Sequence, residues 1–218
     1  MEQVLENEGR LWVREALTEH DLSLLVKISK LEAVAGSRLE WSDILAEAAG
    51  TSSKLNDLAQ TVLPNAKPVR FVSFNKASSL NWSLPWHQDR VITVKDKVDV
   101  KGFKNWSQKA GLWHCEPPTK ILEKMIFARV HLDDSDENNG CLEVLVGSHK
   151  YGKIISTDIE KIVAKLPKEA CIAKRGDVLF VKALTLHRSH ASYSNLSRRA
   201  LRVDYSNHDL PHPLAWQY

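Results

Sequence analysis

The stretch "GDVLFVKALTLH" (176–187) is rich in Val, Leu, Phe and Thr, opens on a Gly-Asp turn signal and ends on a histidine. It reads as a β-strand. Five more segments share its texture: "VRFVSFNK" (69–76), "WHQDRVITVK" (86–95), "MIFARVHL" (125–132), "CLEVLVG" (141–147) and "RRALRVDYS" (198–206), bounded by Gly, Asn, Asp and Pro. One helix interrupts them, with Thr157 and Glu160 as a capping box and Ile159, Ile162, Val163 and Leu166 on one face. A single helix among so many strands argues against βαβ winding and for an antiparallel sandwich or barrel of jelly-roll type. The segment 96–119 has few strand signals and is expected to be a long functional loop.

Upstream the texture is helical. Thr18 and Asp21 form a capping box ahead of Leu24, Leu25, Ile28 and Leu31. Trp41, Ile44, Leu45 and Ala48 make a second stripe that stops at Gly50, and Leu55, Leu58, Ala59 and Val62 make a third that stops at Pro64. The expected organisation is a single domain over 1–218, with a helical part at 1–65 packed outside a β core at 66–218.

A chain of 218 residues with 43% hydrophobic and 26% charged residues has an ordinary globular composition. Its apolar runs are too short to span a bilayer, and its acidic start has no signal-peptide h-region. A net charge of +3 without a basic block gives no nucleic-acid footprint. Cys115, Cys141 and Cys171 match no zinc spacing and are odd in number, so a reducing, cytoplasmic location is expected and the Asn81, Asn105 and Asn195 sequons are read as chance matches. Oligomeric state is not legible.

In a strand, residues i and i+2 share a face, so His87 and Asp89 project together. Alone the pair is either two metal ligands or two polar residues at a strand mouth, and His131-Leu132-Asp133 repeats the spacing at the entry to an acidic turn. His187, ending its strand, is the candidate third ligand, with His190 in competition. Two histidines and a carboxylate make a facial triad suited to non-haem Fe(II). Arg198 opens the last strand, expected to return antiparallel to the one bearing His187. A buried guanidinium there needs an anion, and Ser189 could add a hydroxyl to it. Successive strand residues face opposite ways, so only one of Arg198 and Arg199 can point inward, and Arg198 is the one chosen. The set implies Fe(II) with a small dicarboxylate cosubstrate.

"NWSLPWHQD", "GFKNWSQKAG", "HCEPP", "HLDDSDENNGCLEVLVGSHK" and "GDVLFVKALTLHRSHASYSNLSRRALRVDYS" resemble, in order, the phytanoyl-CoA dioxygenase family of Fe(II)- and 2-oxoglutarate-dependent oxygenases. The likeness runs from about Phe71 to the C-terminus. It implies a mainly β fold with flanking α: a double-stranded β-helix (jelly roll, cupin-like) with N-terminal helices outside. It implies iron ligands at His87, Asp89 and His187, and 2-oxoglutarate contacts at Arg198 and Ser189, with Gln88, Lys76 and Asn81 near the cosubstrate. O2 is the other cosubstrate, succinate and CO2 are released, and a small-molecule substrate is hydroxylated. Asp89 disfavours halogenation, since halogenating relatives have a small residue there. Departures are Cys141 and Val146 in place of prolines and a bulky Arg188. Trp106, Trp113 and His114 are candidate substrate-pocket residues or else pin the long loop to the barrel, and Arg188 is a candidate to narrow the pocket or contact an acidic substrate. The alternative is a cupin-like metal-dependent isomerase or binding protein without O2 chemistry, which would have no use for Arg198 with Ser189.

Overall fold

The computed structural model describes residues 1–29, 35–77, 81–194 and 197–218. It opens with α1 (Glu2–Glu8), a strand β1 (Arg10–Val13) and α2 (Glu19–Ile28). The Thr18 capping box forms: its hydroxyl accepts from the Asp21 N–H, and the Asp21 carboxylate accepts from the Thr18 N–H at 2.9 Å. Leu31, expected at the end of that helix, and Asn195 lie outside the described residues. A two-residue strand β2 (Ser37–Arg38) precedes α3 (Asp43–Ala49) and α4 (Lys54–Val62), each with a serine N-cap. The predominantly helical expectation for 1–65 therefore overlooked β1 and β2, both too short for a periodic signal.

The remaining strands are β3 (Lys67–Lys76), β4 (Leu84–His87), β5 (Ile92–Val94), β6 (Lys104–Lys109), β7 (Leu112–Glu116), β8 (Ile126–His131), β9 (Leu142–Leu145), β10 (Lys168–Ala170), β11 (Val178–Lys182), β12 (His187–Ser189) and β13 (Arg198–Ser206). Short helices α5 (Thr119–Leu122) and α6 (Ile159–Val163) lie between them. Thr157 caps nothing: it falls in a 3-10 turn, and Asp158 takes the N-cap position.

The pairings are antiparallel and build three sheets, ordered β1-β11-β8-β13-β3-β2, β10-β9-β12-β4 and β5-β7-β6. Alternation along the strands of the large sheet sets its two faces. Ile126, Ala128, Val130, Val178, Phe180, Leu201 and Val203 point outward into one buried cluster with Leu22, Leu25, Leu45 and Leu55 of the helices. Phe127, Leu179 and Val181 point inward and meet Leu142, Val144 and Cys171 across from them. This is the jelly-roll architecture, mainly β, with helices covering one sheet from outside.

Four segments differ from the reading of the sequence. "WHQDRVITVK" is not one strand: β4 ends at His87, and the chain crosses to β5 in another sheet. "GDVLFVKALTLH" likewise splits, its first half in the large sheet and its second in the four-stranded one, so His187 starts a strand rather than ending it. The last strand, β13, pairs with β8 and β3, not with the strand bearing His187. The long loop 96–119 holds the β6–β7 hairpin, whose two-residue turn has positive φ at Ala110 (49°) and Gly111 (76°). That is the primed geometry that matches strand twist, and the absence of Asn-Gly or Asp-Gly concealed it.

His131 is fully buried, its Nδ1–H donating to the Asp177 carbonyl at 3.2 Å. Burial, reinforced by Arg129, pushes it down to about 3, and burial pushes the enclosed His114 down to about 4. Both are neutral when folded, whereas the unfolded chain binds protons near 6.5. Their contribution to stability is thus complete above pH 6.5 and is lost as pH falls below it, at up to about 1.4 kcal/mol per pH unit for each histidine. Urea unfolding at pH 7.5, 6.5 and 5.5 checks this, and a stability that stays flat below 6.5 contradicts it.

Candidate active site

His87 and His187 stand directly opposite each other on the adjacent strands β4 and β12, with ring centroids 4.3 Å apart. Each Nδ1–H donates to a backbone carbonyl two residues upstream, Pro85 at 2.8 Å and Thr185 at 2.9 Å. Those bonds fix the tautomers and leave both Nε2 lone pairs free. Asp89 lies past the end of β4, yet its Oδ2 comes within 3.3 Å of His187 Nε2. One donor atom from each of the three residues lies within 4.8 Å of the others. Burial alone would raise the Asp89 carboxyl, but Arg202 and His187 outweigh it and hold it well below the usual carboxylate range. Burial, then the neighbouring His187, lowers His87.

Arg202 is anchored on both sides. It pairs with Asp89 through Nη1 and donates from Nε to Asp204 Oδ1 at 2.5 Å, with its guanidinium 3.9 Å over the Phe127 ring. Asp204 in turn meets Arg70 Nε at 2.6 Å. The result is an alternating line Asp89–Arg202–Asp204–Arg70 that orients the carboxylate ligand. Sequence reading missed Arg202 and Asp204, although they share parity with Arg198 in "RRALRVDYS". It also missed Arg129, a guanidinium in the otherwise apolar "MIFARVHL".

A cavity of about 220 Å³ opens beside the three ligands, bounded by Trp82, Phe74, Phe127, Ser189 and Arg198. Arg198 is only 2% exposed, and among the described residues its Nε and Nη1 meet no acceptor. Arg199 turns the other way and grips Asp133 with Nε at 2.9 Å and Nη2 at 2.7 Å. The second His-x-Asp pair is thereby divided, with Asp133 on Arg199 and His131 in the interior.

Several expected site residues do not line this cavity. Gln88 has the parity opposite to His87 and Asp89. Its amide donates to the carbonyls of Gly152 (2.8 Å) and Leu184 (2.7 Å) and accepts from Ile154 N–H (2.9 Å). Arg90 holds the Ile154 carbonyl, and Trp86 packs with Ile154, Val163 and Leu186, so this face clamps the strand to the α6 segment. Gln88→Ala strands three backbone groups and is expected to cost about 3 kcal/mol in denaturant unfolding; a loss below about 1 kcal/mol would discount the clamp. Asn81 spends its amide on both backbone groups of Ser192. Lys76 stands opposite Arg198 in register, fully buried, and donates to the His190 carbonyl at 2.5 Å. Arg188 faces away, on Glu143 at 2.5 Å and 4.7 Å over Trp86. Trp106 and Trp113 meet edge to face at 6.5 Å in a separate cluster, and His114, of opposite parity to Trp113, is fully buried, so of the β6–β7 hairpin only Lys109 reaches the cavity wall.

The family model described as phytanoyl-CoA dioxygenase matches residues 8–200. The chain belongs to the phytanoyl-CoA dioxygenase family. No curated protein sequence matches it significantly. Among solved structures, AviO1 from Streptomyces viridochromogenes Tue57 is 17% identical with a TM-score of 0.66, covering 96% of this chain and 94% of that one. EctD from S. alaskensis with bound Fe is 15% identical with a TM-score of 0.68, covering 97% and 78%. The epimerase SnoN, in complex with Fe3+, alpha ketoglutarate and nogalamycin RO, is 16% identical with a TM-score of 0.66, covering 94% and 81%. At these identities the likeness is one of fold, and it covers the helices as well as the family's jelly roll. Among the described residues no helix is long and apolar enough to cross a membrane.

Proposed function

We propose that the protein is an Fe(II)- and 2-oxoglutarate-dependent dioxygenase that hydroxylates a small molecule, with release of succinate and CO2. The observation that carries this reading is one cavity lined both by the His87–Asp89–His187 donor set and by Arg198, whose Nε and Nη1 meet no acceptor among the described residues. Two imidazole nitrogens and a carboxylate oxygen suit Fe(II) and leave coordination positions open. Orphaned guanidinium N–H groups in a buried site ask for an anion, and a carboxylate matches their fork. His87, Asp89 and His187 would hold the iron, while Arg198 with Ser189 would hold the far carboxylate of 2-oxoglutarate. When bound, iron with 2-oxoglutarate and O2 supplies the oxidising power, one oxygen atom going to succinate and one to the substrate. Arg202 fixes the Asp89 carboxylate, the two backbone carbonyls fix the imidazoles, and Phe74, Phe127 and Trp82 restrict water.

Relatives of this fold include the epimerase SnoN and the carbocyclase SnoK, so the products decide the outcome. The test is anaerobic addition of Fe(II) and 2-oxoglutarate, followed by oxygen. A weak visible charge-transfer band and substrate-independent succinate formation are expected. Absence of both, together with no 2-oxoglutarate-dependent protection from unfolding, overturns the reading. Hydroxylation itself is read as a 16-dalton gain in a substrate that stimulates succinate release.

A further inference from the structure

The cavity wall carries more arginine than the metal ligands and one carboxylate require. Arg202 and Arg70 are matched by Asp89 and Asp204. Of the other arginines on the wall, Arg38 gives its Nη1 to the Gly36 carbonyl at 3.0 Å, while Arg198 and Arg129 are matched by no carboxylate among the described residues, and Arg129, 7% exposed, has a buried Nε that meets no acceptor there. Register explains how the two come together. Arg129 on β8 lies opposite Arg202 on β13, and Ala200, between Arg202 and Arg198, leaves a gap over its strand. The Arg129 guanidinium extends toward that gap, 5.5 Å from the ring of Phe74, the β3 residue opposite Ala200. Burial and then the charge of Arg198 push Arg129 down to about 9, and burial followed by Arg198 and Arg129 brings Lys76 down to about 7. The charge of Arg198 thus opposes that of both its neighbours, Arg129 and Lys76. A buried guanidinium is costly without a partner, and a carboxylate has enough lone pairs for two forks.

We propose that Arg129 is a second cosubstrate-binding arginine, so that the far carboxylate of 2-oxoglutarate is held between two guanidiniums, Arg198 and Arg129. The inference rests on the Fe(II)/2-oxoglutarate reading above. It makes the subsite strongly selective for a 2-oxo diacid over a 2-oxo monoacid, because the monoacid leaves both arginines buried and unpaired.

The experiment titrates 2-oxoglutarate and 2-oxopentanoate, anaerobically, into the Mn(II)-loaded full chain and its Arg129→Gln, Arg129→Lys and Arg198→Gln variants. Arg129→Gln is expected to weaken 2-oxoglutarate roughly 10- to 100-fold, the worth of a charge-assisted contact. It should leave Mn(II) affinity and 2-oxopentanoate binding within about twofold of the parent. The ligand-free thermal midpoint should hold or rise, since an uncompensated buried charge is gone, whereas a structural role for Arg129 would lower it. Should Arg129→Gln not fold, Arg129→Lys carries the same comparison, with a loss of about fivefold or more from the missing fork. The proposal is overturned if either folded variant binds 2-oxoglutarate within twofold of the parent while Arg198→Gln loses it. A parent chain that binds no 2-oxoglutarate overturns the functional reading as well, which separates the two failures.

Discussion

Asp89→Ala is expected to abolish iron binding at micromolar metal and to reduce succinate formation at least about 10³-fold, because a charged ligand in a buried site contributes more than about 4 kcal/mol. The same substitution has a second effect. Asp89 partners Arg202, and its removal leaves a buried guanidinium with Asp204 alone, itself shared with Arg70. The metal-free variant should therefore unfold about 2 kcal/mol more easily than the metal-free parent. Asp89→Asn, which keeps the shape and one acceptor, should lose the metal with a smaller stability cost. Metal titration by electron paramagnetic resonance with Mn(II), alongside urea unfolding of the apo forms, measures both. Iron affinity within tenfold of the parent in Asp89→Ala would remove Asp89 from the ligand set.

Arg198→Ala is expected to weaken 2-oxoglutarate by about 100-fold or more, the worth of a bidentate charge-assisted pair, and to spare the metal. Arg199→Ala serves as the matched control. Its guanidinium is partly exposed on Asp133, so its loss should cost about 1 kcal/mol of stability and leave 2-oxoglutarate binding unchanged. Anaerobic titration of the visible band reads the first effect, and thermal unfolding reads the second. If Arg199→Ala weakens the cosubstrate and Arg198→Ala does not, the orientation of the strand relative to the ligand is the reverse of that described here.

The parts of this molecule that were legible in its sequence are those governed by local periodicity. The Thr18 cap, the α4 stripe and four of the six strand segments after Pro68 formed as spacing dictates, and parity sent Arg198 inward and Arg199 outward; of the α3 stripe, Trp41 falls before the Ser42 cap and is 49% exposed. What was hidden depends on contacts far apart in the chain. β1 reads as nothing until Leu11 meets Phe180, and β5 separates from β4 because its partner is Cys115 in another sheet. The family resemblance puts Gln88 near the cosubstrate, yet the parity that brings His87 and Asp89 together carries it to the far side. Trp106 and Trp113, read as lining the pocket or pinning their loop, are gathered by hairpin pairing into a cluster of their own. Arg129 was invisible because a charged residue inside an apolar strand has no periodic signature, and only its missing partner marks it.

The strand order β1-β11-β8-β13-β3-β2 also bears on how the chain reaches its native state. β1, made early among these strands, pairs with one made late, Arg10 with Val181, and the helices that follow it cover a sheet whose central strands are β11, β8 and β13. Until the C-terminal third emerges, Leu22, Leu25, Leu45 and Leu55 have no sheet to lie against, so the amino-terminal segment must wait with its apolar face uncovered. Such a topology folds late and slowly, as non-local pairing generally does. Truncation within β13 should then yield an aggregating chain rather than a smaller folded one, since a single lost strand uncovers both the helical layer and the catalytic cavity.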